Sequence, residues 1–402
     1  MKKGWKTTKL GDILEIQNGY AFSSKDYSES GHFVMRIGNV QNGYISLADA
    51  KFIKLPADGA LQRFNLSESD ILVSLTGNVG RVGVIKKEHL PAALNQRVAR
   101  ISIRKGSPAT RELLLYFLYS DWFREELTGA GHGTAQQNVS TKDLVEIQIP
   151  IPPLPEQQRI VGILDEAFEG IATAKAAAEK NLQNARALFE SHLQSVFTQR
   201  GKGWVEKSFE EVAGADCSLS YGIVQPGDEY LDGMPVVRPT DLTTKVIRLS
   251  GLKRIDPKLA GGYKRTTLQG GELLLCVRGS TGIVSIAAPE LVGANVTRGI
   301  VPIRFNRSFL MPEFGFYLLS AGPVQSQIRE KTYGTALMQI NIRDLRIISL
   351  SFPPLKEQET IAAKLDSLHD ETQRLASLYQ RKLAALEALK KSLLHQAFSG
   401  QL

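Results

Sequence analysis

Catalysis needs groups of the right type held within reach of one another, and few residues here stand at telling spacings. The six histidines (His32, His89, His132, His192, His369, His395) are scattered with no paired metal-ligand spacing. Cys217 and Cys276 are too few for a disulfide framework and show no ligand pattern. No Gly-x-x-x-x-Gly-Lys-Ser/Thr loop is present, so nucleotide hydrolysis is not expected. The Asn/Asp-Pro-Pro-aromatic signature of amino-methyltransferases is also missing, since Pro152-Pro153 and Pro353-Pro354 follow Ile or Phe and precede Leu. Gly77-Asn78-Val79-Gly80 and Gly279-Ser280-Thr281-Gly282 have the composition of phosphate-cradling turns. No helix start follows them, so they predict tight turns between strands. The residues point to binding and not to catalysis.

The elements that must position these groups come in two copies. Gly133-Thr134-Ala135, Asp143-Leu144, Pro152-Pro153-Leu154, Glu156-Gln157 and Leu164-Asp165 recur 201 residues later as Gly334-Thr335-Ala336, Asp344-Leu345, Pro353-Pro354-Leu355, Glu357-Gln358 and Leu365-Asp366. With small shifts, Arg36-Ile37-Gly38-Asn39-Val40 corresponds to Arg238-Pro239-Thr240-Asp241-Leu242, and Tyr116-Phe117-Leu118 to Tyr317-Leu318-Leu319. A period of this length is one duplicated unit, not a solenoid.

Each copy changes hydrophobic period part-way. Its first 150 or so residues carry β-rich runs (Ile71–Leu75, Val82–Ile85, Val98–Ile103; Leu273–Val277, Ile283–Ala287, Ile300–Phe305) and one helix, Arg111–Leu127 or about Pro312–Lys331. After Pro-Pro-Leu the pattern is helical. Ile160, Leu164, Ala167, Ile171, Ala174, Ala178, Leu182, Ala185, Phe189 and Val196 form one apolar stripe. Ile361, Leu365, Leu368, Leu375, Leu378, Leu386, Leu389 and Leu393 form the other. Stripes this long demand a partner helix, and a pseudo-twofold repeat makes the pair antiparallel. The expected fold is therefore α+β, with two tandem lobes (1–153 and 201–354) separated by two long spacer helices (154–200 and 355–402) that form an antiparallel coiled coil.

Charge separates the segments. Residues 1–153 carry 19 basic and 15 acidic residues, residues 201–354 carry 18 and 14, and the helical segments together are neutral. The formal net charge of +8 thus belongs to the lobes, as suits a polyanion gripped at two points. The start, Met1-Lys2-Lys3-Gly4-Trp5-Lys6, has no apolar stretch behind it, and no apolar run approaches the roughly 20 residues of a membrane span. With the cysteine count, these features predict a cytoplasmic protein that does not engage a membrane.

Two variable α+β lobes, each followed by IPIPPLPEQQRIVGILDEAF or its echo SFPPLKEQETIAAKLDSL, resemble the DNA-specificity subunit of type I restriction-modification systems over essentially the whole chain. The second junction departs from the first, with Lys356 in place of Pro155. The resemblance implies that each lobe is a target-recognition domain for one half of a gapped duplex-DNA site and that the helices set the gap. Two methyltransferase (M) subunits would supply S-adenosylmethionine-dependent adenine methylation, and restriction (R) subunits would add ATP-driven translocation and Mg-dependent cleavage. The chain itself would hold no cofactor and no metal. The contrasting reading, from another class, is a lobe-and-rod protein scaffold of a phage-defence complex.

Under the DNA reading, lysines and arginines on phosphates give affinity, and side chains that reach base edges give sequence choice. Arg matches guanine, and Asn or Gln matches adenine, in bidentate geometry. The candidates in loops of the first lobe are Arg36, Asn39, Asn78, Arg81, Gln96, Arg97, Gln136 and Gln137. Those in the second are Arg238, Asp241, Arg278, Thr281, Thr297, Arg298 and Lys331. Asp143 and Asp344 are expected to be turn or cap residues, and Glu156-Gln157 and Glu357-Gln358 to complement helix starts.

Overall fold

The computed structural model describes residues 2, 4–56, 59–129, 139–335 and 337–402. The chain divides into two compact units, one of residues 1–179 and 380–402, the other of residues 180–379. Each unit therefore combines one lobe with parts of both long helices.

The uninterrupted apolar run Ile71-Leu72-Val73 is explained by a sheet covered on both faces. In the first unit the strand Ile71–Ser74 lies between Val82–Val84 and Val98–Ile103, and Leu14–Asn18 completes the four-stranded sheet. Ile71 and Val73 enter the core shared with the helices, while Leu72 points the other way, into a core with Phe33, Met35 and Leu94. The five-stranded sheet beyond contains Ala92–Leu94 parallel to His32–Met35, with Leu94 opposite Met35. Lys6–Lys9 pairs with Gln148–Ile151 and so closes the lobe beside its helical junction.

The second unit repeats this plan. Leu273–Cys276 lies between Val284–Ala287 and Ile300–Ile303. Leu273, Leu275 and Val277 face one core, while Leu274 and Cys276 face the other. Asn295–Val296 runs parallel to Met234–Val237, with Val296 opposite Val237. Val205–Ser208 pairs with Ser349–Phe352.

The single lobe helix expected in each copy is two helices. Arg111–Tyr119 and Asp121–Gly129 are separated by Ser120, which is buried and extended (φ −72°, ψ 152°). Its hydroxyl donates to Phe117 O and accepts from Phe123 N. A serine that satisfies the end of one helix and the start of the next breaks the rod without disturbing the apolar period. In the second copy Ala321 takes the same conformation between Pro312–Ser320 and Gly322–Glu330, with Pro323 in the first turn of the new helix.

Both junctions lead into helices of 45 residues, Leu154–Thr198 and Leu355–Ser399. In the first unit Arg159 donates to Leu402 O at 2.6 Å, and Lys175 bridges to Glu387 at 2.7 Å. Ile160 and Leu164 share a core there with Leu394, Ala397 and Phe398. In the second unit Phe189 stacks edge-on against His369, and Leu193 and Phe197 share a core with Ala362 and Leu365. Within each unit the two helices are thus antiparallel. Leu378 and Leu389, expected in the apolar stripe, are exposed; Leu375, Leu386 and Leu393 are partly buried. Among the described residues no helix is long and apolar enough to cross a membrane.

Candidate nucleic-acid interface

Strand topology gathers the candidate residues at one end of each lobe. Two neighbouring parallel strands, His32–Met35 and Ala92–Leu94, end together and emit adjacent turns at 36–39 and 95–98. Asn39 N donates to Arg36 O at 2.9 Å, and Val98 N donates to Asn95 O at 3.0 Å. The Gly77–Gly80 turn joins them through Leu75 N, which donates to Arg97 O at 3.1 Å. Gly77 and Gly80 have φ of +71° and +76°, as the tight turn requires. Arg36, Gly38, Asn39, Asp49, Gln96 and Arg97 line a cleft of about 460 Å³.

The second lobe builds the same constellation. Asp241 N donates to Arg238 O at 2.9 Å, Ile300 N to Thr297 O at 2.9 Å, and Val277 N to Gly299 O at 2.8 Å. A fourth segment joins it: Tyr333 and Gln339 bridge to each other, Gln339 bridges to Arg278, and Gly279 N donates to Met338 O at 2.7 Å. Two glycines fix the approach of the incoming chain. A Cβ on Gly19 would lie 2.1 Å from Asn95 O, and one on Gly222 would lie 2.0 Å from Val296 O.

The structure separates committed side chains from free ones. Asn39 is 1% exposed; it accepts from Arg36 N and donates to Ser46 O and Ala48 O. Its side chain is committed to shaping the turn. Asp241 is likewise committed: it accepts from Arg238 N at 2.8 Å and takes that arginine's guanidinium bidentately, at 2.9 and 3.1 Å. Thr297 is buried, and its backbone amide donates to Val237 O. Asn39 and Asp241 thus spend their polar side chains on the turn geometry. Arg36 is engaged by Asp49 at 2.9 Å, and Arg81 donates to Gln41 Oε1 at 2.7 Å.

Asn78, Gln96, Arg97 and Arg298 are exposed, and Arg278 and Thr281 partly so; among the described residues none has a side-chain hydrogen bond or ion pair. Lys331 ends the helix Gly322–Glu330, two residues ahead of the Tyr333–Gln339 bridge. Gln136 and Gln137 lie outside the described residues. Exposed Tyr20, Tyr333, Leu337 and Met338 also stand on these turn segments, and a search of the sequence for polar groups does not find them.

The junction residues tie each lobe to its helix. Gln157 is 1% exposed; it accepts from Thr110 N and donates to Pro108 O and Pro152 O. Gln358 is 0% exposed and repeats the pattern with Met311 N, Phe309 O and Pro353 O. These glutamines are buried anchors, not the dipole partners expected from sequence. Glu156 does behave as a surface anion: Arg159 and then Lys2 hold its carboxyl down at about 2. The Tyr116 hydroxyl donates to Asp165, and the Tyr317 hydroxyl donates to Asp366, which Lys245 also reaches. Burial, reinforced by the carboxylate, pushes both tyrosines above their ordinary range. Asp143 caps its own short helix, accepting from Ser140 N at 2.8 Å.

Comparison with known proteins gives the class. The family model for the type I restriction modification DNA specificity domain matches residues 2–183 and again 202–381. The chain belongs to that family. It is 22% identical to the EcoBI specificity subunit of Escherichia coli, over 99% of this chain and 86% of that protein. It is 24% identical to the putative MjaX specificity subunit of Methanocaldococcus jannaschii, over 99% and 93%. Its fold matches a chain from a study of complex assembly and conformational transition of the type I R-M system, with a TM-score of 0.77 at 20% identity, covering 100% of this chain and 99% of that one. The HsdS subunit of Thermoanaerobacter tengcongensis aligns with a TM-score of 0.57 at 19% identity, covering 100% and 98%.

Proposed function

We propose that this chain selects the DNA site of a type I restriction-modification complex, each lobe reading one half of a gapped bipartite target. The observation that carries the reading is the duplicated constellation of turns, each set held rigidly by backbone hydrogen bonds while presenting unpaired Arg, Gln or Asn side chains. Rigid supports with free polar tips are what base-edge recognition needs. Basic residues around them supply sequence-independent phosphate affinity.

On this reading the chain is not itself a catalyst. Two methyltransferase subunits docked on it would use S-adenosylmethionine to methylate adenines in the chosen site, flipping the base from the duplex. Restriction subunits would bring ATP- and Mg-dependent translocation and cleavage. The 45-residue helices would hold the half-sites at a set separation, so their length enters the specificity.

The test is methylome sequencing of a host that expresses the chain with its cognate methyltransferase, together with duplex binding at several salt concentrations. A single gapped motif, absent without this chain, is the expected result. Methylation with no motif dependent on the chain would overturn the proposal.

A further inference from the structure

The turns 95–98 and 297–300 are the same object in the two copies. Asn95 forms a parallel bridge with Tyr20, and Thr297 forms one with Ile223. Gln96 N donates to Tyr20 O at 2.9 Å, and Arg298 N donates to Ile223 O at 2.8 Å. The amides of Asn95 and Thr297 donate to the last residues of the neighbouring parallel strands, Met35 and Val237. The carbonyls of Arg97 and Gly299 accept from Leu75 and Val277. Every backbone partner matches, so Gln96 is the counterpart of Arg298, and Arg97 that of Gly299.

The first two are the first central residues of their turns. Both are exposed, and among the described residues neither side chain has a hydrogen bond or ion pair. Each side chain leaves a backbone fixed from both sides by main-chain hydrogen bonds, which do not require a particular side chain at that position. A position that can be exchanged without disturbing its support is the place where two otherwise equivalent lobes can differ in what they recognise.

We propose that Gln96 and Arg298 are equivalent base-reading residues, Arg298 taking O6 and N7 of one guanine and Gln96 taking N6 and N7 of one adenine in the major groove. The assignment rests on the reading of the lobes as DNA-binding. Arg298 is well suited: its planar fork donates two parallel hydrogen bonds to the paired acceptors of guanine. Gln96 presents an amide NH2 donor group beside a carbonyl acceptor, the pattern complementary to adenine.

The experiment uses the full chain purified with its methyltransferase, after the target has been defined by methylome sequencing. Duplexes carrying 7-deazaguanine at one guanine at a time, or 7-deazaadenine at one adenine, remove N7 without changing base pairing. At one guanine, the deaza base should weaken wild-type binding about 10- to 100-fold and leave binding by R298A unchanged. One adenine should show the same coupling with Q96A. R298K, which keeps the charge but not the planar fork, should bind the unmodified target more weakly than wild type and lose less than wild type to the deaza base.

Equal responses of wild type and R298A at every guanine would overturn the assignment. So would a uniform loss of affinity by R298A on all sequences with a salt slope smaller by about one, which marks a phosphate contact. A target without guanine in either half-site overturns the Arg298 assignment at once. If the wild-type complex shows no sequence preference, the DNA-reading proposal itself has failed, and that outcome is seen before any variant is compared.

Discussion

Gln157 and Thr110 are joined by a 2.8 Å hydrogen bond in which the Thr110 backbone amide donates to the glutamine carbonyl, at the point where the lobe meets its helix. Residue for residue, Gln358 does the same for Met311 in the other copy, at 3.0 Å. Both amide groups are fully used inside the protein, so their environment tolerates no apolar replacement of similar size.

Replacing Gln157 by Leu strands the Thr110 amide and the carbonyls of Pro108 and Pro152. Q157L should destabilise its unit by about 2–3 kcal/mol, and Q358L should cost the other unit a similar amount. Urea denaturation followed by circular dichroism measures both. Losses below about 0.5 kcal/mol would show that water or a shifted backbone replaces the bonds.

The two Tyr–Asp tethers carry a signature at high pH. The folded-state pKa values of Tyr116 and Tyr317 lie above the unfolded value of about 10. The protonated hydroxyl is therefore favoured in the fold. Its contribution is complete below pH 10 and is lost as pH rises through the folded values. The wild-type unfolding midpoint should stay level to about pH 9 and then fall, and the Y116F/Y317F double variant should fall less steeply. Parallel curves would rule out a role for these hydroxyls.

Gly19 and Gly222 stand where another chain segment leaves no space for a Cβ. G19A should push the 95–98 turn away and cost about 2–3 kcal/mol or more, and G222A should do the same at 297–300. Thermal unfolding reads the loss. Hydrogen exchange should localise it, with faster exchange at the Gln96 amide in the first variant and at the Arg298 amide in the second.

Phe398 is 2% exposed and meets the Phe117 ring edge-on at 5.2 Å, while Phe197 is 3% exposed and leans on Phe314 at 5.4 Å. Truncating either to Ala should cost about 3–5 kcal/mol in its own unit, through lost burial and the cavity left behind. Denaturation curves of F398A and F197A check the magnitude, and exchange rates in Leu113–Phe123 or Phe314–Val324 check the location.

Much of this was legible because duplication repeats its own signals. The 201-residue recurrence located both junctions, and the runs around Leu72 and Leu274 gave the central strands. The break at Ser120 was hidden because the apolar period continues across it, and a capping serine looks like any other polar residue of a helix. Among the candidate readers, Asn39 and Asp241 hold their turns for one shared reason: each sits three residues after an arginine whose backbone amide it caps. That bond depends on turn conformation, which residue type alone does not reveal. The pairing of Gln96 with Arg298 needed the strand bridges, since the offset drifts from 201 to 202 between the junction and the turn.

The first unit is assembled from segments far apart in the chain, and this bears on its birth at the ribosome. Residues 1–179 emerge early, but the core around Phe117 stays open until Leu394, Ala397 and Phe398 are delivered more than two hundred residues later. The middle unit, continuous from 180 to 379, holds all its own parts before then. Synthesis therefore finishes the second lobe first, and the earliest-made lobe waits as a nascent intermediate with apolar surface uncovered, the stage at which a chaperone would find it.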